Sequence, residues 1–239
     1  VGLEDARIQR WNGRLWITGV RRDTTTNGQG RMELSEISIT DTGVREILRR
    51  RIPAPGADNT YCEKNWMPVL DQPYTYVKWA NPTEVVRYDL ETGTTTTVHL
   101  DSTQVIPGVP DFRGGSQVIP YGDNYIALIH EVNLFKSEAG EKDATYKHRF
   151  LMWDKNWNML AYTDAFSFMK ADIEFCTGAA WYNNELLLTF GFQDNAAFIL
   201  KMPRACVDQF MSEANSIPRV PTMTTLDGVE HEFDWGVAA

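Results

Sequence analysis

The sequence predicts an all-β fold: a five-bladed β-propeller whose first blade is incomplete, with one short helix near the C-terminus. Three observations carry this reading. Short runs of branched and aromatic residues, bounded by Gly, Asn, Asp or Pro, fill most of the 239 residues. Helical periodicity is nearly absent. A turn that runs into an apolar strand recurs four times, roughly 50 to 60 residues apart, which is the spacing of a propeller blade with long loops.

The strand runs are Thr75–Trp79, Val85–Leu90, Tyr125–His130, Phe150–Trp153 and Glu185–Phe190. The recurring turns open at Trp11-Asn12-Gly13-Arg14, Asp71-Gln72-Pro73-Tyr74, Tyr121-Gly122-Asp123-Asn124 and Tyr182-Asn183-Asn184-Glu185. Three of the units turn back later, at Asp41-Thr42-Gly43, Asp89-Leu90-Glu91-Thr92-Gly93 and Asp154-Lys155-Asn156-Trp157-Asn158. A single meander cannot bury both of its faces, so several must pack around an axis. Four units, the first entered abruptly, suggest five blades with part of the first absent. A β-sandwich, the rival fold, fits the long period less well. The one helical stretch is Pro203 to Asn215, where Val207, Phe210, Met211 and Ala214 share a face and Pro203 suits a first turn. The organisation is therefore blades over residues 1–202, a short helix over 203–216, and a closing strand or linker over 217–239, a tail that carries Asp227-Gly228.

Charge narrows the function. Lys and Arg number 23 against 32 Asp and Glu, a formal charge of −9, which repels nucleic acid and acidic membrane surfaces. The compact basic run Arg49-Arg50-Arg51 is too short to reverse that. No apolar run reaches the roughly 20 residues of a membrane span. Neither a signal peptide nor a Met opens the chain, so it reads as a piece of a longer protein. Three cysteines, Cys62, Cys176 and Cys206, without CxxC spacing argue against a disulfide framework and a Cys-based zinc site and fit a reducing, cytoplasmic setting. His99, His130, His148 and His231 show no metal-ligand spacing, and no phosphate loop, dinucleotide glycine pattern or nucleophile elbow is present.

Propellers bind ligands over the central channel, so polar clusters at strand ends are the candidates. In Glu4-Asp5-Ala6-Arg7, extended backbone puts Asp5 and Arg7 on one face and Glu4 on the other; on spacing alone, a surface salt bridge is the preferred reading. Glu63-Lys64-Asn65-Trp66-Met67-Pro68 combines a charge, an amide and a stacking face suited to an anion or a sugar, and equally describes a loop around a core Trp. Arg113-Gly114-Gly115-Ser116 allows close backbone approach to a ligand, or forms a bulge. His130 ends an apolar strand, where a core role is the more usual one. Tyr146-Lys147-His148-Arg149, Asp172-Ile173-Glu174-Phe175-Cys176 and Gln193-Asp194 complete the set. The eight Trp serve either as sugar platforms or as blade core.

Glu4-Asp5-Ala6-Arg7 taken with Lys64-Asn65 resembles the glycoside hydrolase family 130 group, five-bladed propellers that include β-mannoside phosphorylases and hydrolases. The resemblance runs from about Gly2 to Leu200, and the chain looks like a divergent member. Ala6 stands where the family motif has Pro. Gly114-Gly115-Ser116 with the strand ending in His130 resembles the family's Gly-rich turn and His strand. Glu174 and Phe190-Gly191-Phe192-Gln193-Asp194 resemble its last blade. The resemblance implies Asp5 as the catalytic acid. It implies Glu4, Arg7, Lys64, Asn65, Arg113, His130, Glu174 and Asp194 as substrate- or phosphate-binding groups. No cofactor is implied, inorganic phosphate being a candidate co-substrate, and the partner is an oligosaccharide or glycan. A fused glycosyltransferase or repeat domain is a further candidate partner. One departure stands out: where the phosphorylases carry a His-Arg pair, this chain has Lys78-Trp79 after Tyr76-Val77, which moves weight toward hydrolysis or toward binding without cleavage. The expectation is cleavage or phosphorolysis of a mannoside-like bond. The alternatives are a glycan-binding or scaffold propeller and an interaction propeller without sugar affinity.

Overall fold

The computed structural model describes residues 2–22, 28–56, 62–101, 112–136, 142–217, 222–224 and 230–232. The Asp227-Gly228 turn lies outside them. Blade one is the meander β1 (Glu4–Trp11), β2 (Arg14–Arg21), β3 (Arg31–Thr40) and β4 (Gly43–Ile52). Blade two is β5 (Met67–Pro68), β6 (Thr75–Trp79), β7 (Glu84–Tyr88) and β8 (Thr95–Leu100). In blade three, β9 (Arg113–Gly114) and β10 (Ile119–Tyr121) both pair with β11 (Asn124–Lys136), followed by β12 (Lys142–Trp153) and β13 (Met159–Tyr162). Blade four is β14 (Glu174–Tyr182), β15 (Glu185–Phe192) and β16 (Ala196–Pro203). Helix α1 (Arg204–Ser212) then returns the chain to blade three, where β17 (Asn215–Ser216) pairs with β13. Strands β18 (Thr222–Thr224) and β19 (Glu230–Glu232) pair with each other.

Among the described residues the propeller has four blades, not the expected five. The reason lies in the turns themselves. All four recurring turns precede the second long strand of a blade: β1–β2, β5–β6, β10–β11 and β14–β15. Four repeats are therefore four blades. The expectation of an incomplete first blade is also corrected: Glu4–Trp11 enters directly as a full innermost strand, and blade one has all four strands. The three-stranded blade is the last, because the chain leaves β16 at Pro203 and enters α1.

Local chemistry explains these turns. Asn12 and Gly13 have φ of 51° and 77°, and Asn183 and Asn184 have 47° and 62°, the doubly left-handed geometry of two-residue hairpins, which Asn and Gly tolerate best. The later turns begin with Asp because its carboxylate accepts backbone amides. Asp89 takes those of Glu91 and Thr92, and Asp154 those of Asn156 and Asn158. The basic run Arg49–Arg51 is the outer strand β4, with Arg49 paired to Glu46.

Three apolar clusters seal consecutive blades. Trp11, Trp16, Trp66 and Tyr76 fill the space between blades one and two. Val77, Tyr125, Trp153 and Trp157 do so between two and three. Leu128, Phe150, Leu188 and Phe190 do so between three and four, where Val207 and Phe210 of α1 also pack. Burial of each such side chain is worth about 1.5–3 kcal/mol. The Trp residues are thus mainly core, and their N–H groups pin blades together: Trp11 donates to the Val69 carbonyl and Trp153 to Thr83 Oγ1. No helix among the described residues is long and apolar enough to cross a membrane.

Candidate functional site

The site begins with a defect in β1. The β1–β2 register shifts between Glu4 and Arg7, and Asp5 sits there with φ of 50°. Such a bulge re-aims a side chain. The opposing residue is Gly19, where a Cβ would lie 2.9 Å from the Glu4 carbonyl oxygen, so the close approach needs glycine. The extended-chain expectation for Asp5 is corrected accordingly: it does not share a plain strand face with Arg7. Its carboxyl enters a cavity of about 110 Å³ also lined by Lys64, Asn65, Arg113, His130, Tyr146, Phe175 and Asp194. All four blades contribute.

Each wall has its own local cause. Lys64 and Asn65 lie just before β5, and Asn65 takes φ of 62°. Asn65 is 7% exposed, and its Oδ1 has no hydrogen-bond donor among the described residues. Arg113 comes from β9. His130 comes from β11, where its ring stacks on Tyr146 at 5.6 Å and meets the edge of Phe175 at 4.6 Å. Asp194 sits on the β15–β16 turn with φ of 49°.

Burial raises the Asp5 carboxyl above its ordinary value, against the opposing pull of Arg7 and Lys64, while Glu4 and Asp194 add to the rise. No side chain among the described residues donates a hydrogen bond to that carboxyl. Burial also holds His130 well below the usual imidazole range, reinforced by His148, Arg7, Arg113 and Lys64. His130 is therefore neutral near pH 7. It can exchange a hydrogen bond with a sugar hydroxyl but supplies no charge to an anion, and its Nδ1 has no partner among the described residues.

Three expected site residues lie outside this cavity. Glu4 is exposed and sits 3.6 Å from Arg22 at the surface. Arg7 lies behind the cavity, fully enclosed. Its Nε donates to the Gly115 carbonyl at 2.6 Å and its Nη1 to the backbone carbonyl of Asp5 at 2.7 Å. Burial lowers the guanidinium to about 10, still charged at neutral pH. Gln117 makes a similar tie, donating to the Ile8 carbonyl and accepting from the Ala179 amide. Arg7 thus joins blade one to blade three and holds the Asp5 bulge from behind. Glu174 is fully buried, and its carboxylate accepts the amides of Phe168, Met169 and Ala171 at 2.6, 2.8 and 2.9 Å. It fastens a loop. The Gly114-Gly115 pair serves backbone packing rather than ligand approach: a Cβ on Gly114 would strike the Asn65 carbonyl, and one on Gly115 the Leu128 carbonyl.

His148 and Arg149 also stay out of the cavity. His148 Nε2 accepts the Cys176 amide, and Arg149 pairs with Glu131 at 3.0 Å. Lys78 pairs with Glu84 at 3.1 Å and, with Trp79, lines a neighbouring cavity. Phe175 and Ile173 lie on the cavity wall although the sequence marks neither as a binding group. Apolar residues beside a buried Glu look like ordinary strand. No group of His, Cys, Asp and Glu among the described residues has a metal-binding arrangement.

No protein-family model matches the chain, and no curated protein matches it. Solved structures do match its fold. The β-1,2-mannobiose phosphorylase from Listeria innocua, in complex with β-1,2-mannobiose, superposes with a TM-score of 0.59 at 14% identity, covering 89% of this chain and 61% of that one. A glycosyl hydrolase from Bacteroides ovatus superposes with a TM-score of 0.53 at 11% identity, covering 91% of this chain and 68% of that one. This chain thus spans less than two thirds of the phosphorylase's length. The class defined here is a β-propeller whose fold is similar to that of these solved enzymes. The likeness to these structures, at 11–14% identity, is one of fold.

Proposed function

We propose that this chain is a carbohydrate-active propeller that cleaves or phosphorolyses a mannoside-like glycosidic bond, with Asp5 as general acid. One observation carries the reading: side chains from four blades converge on a single cavity around a carboxyl whose proton affinity burial raises. Protonated Asp5 would pass its proton to the glycosidic oxygen, directly or through a sugar hydroxyl. The bond from the anomeric carbon to that oxygen breaks. Water or inorganic phosphate attacks the same carbon from the opposite face, and Asp5 is left as carboxylate until it regains a proton. Lys64, Asn65, Arg113, His130 and Asp194 would hold hydroxyls or the incoming anion. No organic cofactor enters this scheme. The three cysteines are unpaired, which supports a reducing, cytoplasmic setting for it.

A second reading, glycan binding without cleavage, draws on the charge state of the site. His130 is neutral and Lys78 is tied to Glu84, so Lys64 and Arg113 are the cations at the Asp5 cavity. One experiment separates the two. The chain and its Asp5→Asn variant are given a panel of β-mannosides with and without phosphate, with product analysis beside calorimetric titration. Turnover that collapses in the variant supports catalysis. Heat of binding without product supports the binding module. Turnover unchanged in Asp5→Asn would sink the assignment of Asp5.

A further inference from the structure

A second cavity, of about 200 Å³, adjoins the first and shares Lys64, Asn65 and Arg113 with it. The two differ in charge. The Asp5 cavity balances Asp5 and Asp194 against Lys64 and Arg113. The second sets Lys64, Lys78 and Arg113 against Glu63 alone. Lys78 is bonded to Glu84, and Glu63 is 6% exposed and accepts the Trp66 N–H at 3.0 Å. Burial raises the Glu63 carboxyl above its ordinary value, against the pull of Lys78 and the Trp66 hydrogen bond. Three cations and one carboxylate thus line this cavity on a chain whose formal charge is −9. The Lys64 ammonium makes no ion pair or hydrogen bond with any described residue. Trp79 adds an aromatic wall of the kind that pyranose rings pack against.

We infer that this second cavity holds an acidic sugar residue, with its carboxylate on Lys64 and Arg113 and its ring against Trp79. The substrate would then be an anionic glycan that presents a uronic acid next to the residue placed at Asp5. This inference rests on the carbohydrate reading above and names the ligand class for it. The shared wall makes the two cavities adjacent stations for one disaccharide. Asn65, with an unpaired buried Oδ1, stands at their junction. Such a carboxylate would make charge-assisted hydrogen bonds, which are stronger than neutral ones and sensitive to salt.

The test is calorimetric titration of the unaltered chain with a mannosyl-uronate disaccharide, its neutral mannosyl-hexose counterpart and inorganic phosphate alone. The acidic disaccharide should bind about tenfold more tightly at low salt. Lys64→Ala should erase that preference and Lys64→Glu reverse it. Lys64 is exposed, so both variants should keep the melting temperature; if either fails to fold, the acidic-to-neutral ratio on the unaltered chain decides alone. Equal affinity for the two disaccharides overturns the inference and leaves the carbohydrate reading standing. Phosphate that lowers the acidic ligand's affinity to the neutral ligand's level overturns it too, because the charge then belongs to a phosphate site. Absence of binding by either disaccharide defeats both readings together.

Discussion

Two neighbouring regions of this propeller contain nearly the same chemistry and do opposite things. In front, Asp5, His130, Tyr146 and Phe175 meet at an open cavity. Behind, Glu174, His148, Phe166 and Phe168 pack together. Each group has a carboxylate, an imidazole and aromatic rings, and the two histidines are cross-strand partners in β11 and β12. The difference lies in the carboxylates. Glu174 accepts three backbone amides and His148 accepts a fourth, that of Cys176. The Asp5 carboxyl accepts nothing from the described residues, whereas Nδ1 of His130 and Nδ1 of His148 are alike in having no partner among them. A buried polar group that is fully bonded is scaffold, whereas one left unbonded in a cavity is available to a ligand.

This contrast can be broken at several points. The largest effect belongs to the rear region. Glu174→Ala orphans three amides and should cost about 3–5 kcal/mol in urea or guanidinium unfolding. A loss below about 1 kcal/mol would mean that Glu174 does not hold the loop. Asp5→Asn should do the reverse, lowering turnover by about 10²–10⁴-fold while keeping the fold. Because burial raises the Asp5 carboxyl in the folded state, its contribution to stability is complete at low pH and is lost as pH rises through that raised value. The Asn variant should therefore be no less stable than the parent at pH 7, and activity should fall on the alkaline side as Asp5 ionises. A variant that melts well below the parent at neutral pH would place Asp5 in the scaffold.

Acid titration tests the histidines. Burial lowers His148 to about 4 from an ordinary value near 6.5. A lowered imidazole contributes stability that is complete above about 6.5 and is lost as pH falls through about 4, a loss on the order of 3 kcal/mol. Unfolding midpoints measured between pH 7 and 4 should track it, and His148→Gln should flatten the curve. A parent curve that is already flat would contradict the buried, neutral imidazole. The smallest effect is expected at the wall between the cavities. Gly114→Ala should cost about 1–3 kcal/mol by pressing a methyl group on the Asn65 carbonyl, and sugar affinity should fall with it. Unchanged stability and affinity would show that Lys64-Asn65 is not positioned by this contact.

Much of the architecture is legible in the residues. The repeated Asn-Gly and Asn-Asn turns locate the hairpins, and Thr75–Trp79 is β6 to the residue. The blade number is legible too, since the four recurring turns count the four blades; the expected fifth came only from the abrupt entry into the first unit. The long arms of β11 and β12 are missed: the strand runs stop at His130 and resume at Phe150, whereas pairing between the two strands extends β11 to Lys136 and starts β12 at Lys142. Helix α1 ends at Ser212, short of the Asn215 that periodicity suggested. In the site, Asp5, Lys64, Asn65, Arg113, His130 and Asp194 were marked from short motifs and do line one cavity. Glu4, Arg7 and Glu174 carry motifs of the same quality and face elsewhere.

What the sequence determined by itself was local: strands, turn chemistry and the positions of polar residues at strand ends. Alternation and φ preferences act over a few residues, and so they can be read there. Which carboxylate meets a ligand and which is consumed by the scaffold was decided only in three dimensions. It depends on a bulge opposite Gly19, on amides from a loop beside β14, and on side chains from residue 5 to residue 194 brought to one place by packing between blades. No short stretch of chain contains that information, because burial and hydrogen-bond supply are properties of the assembled neighbours.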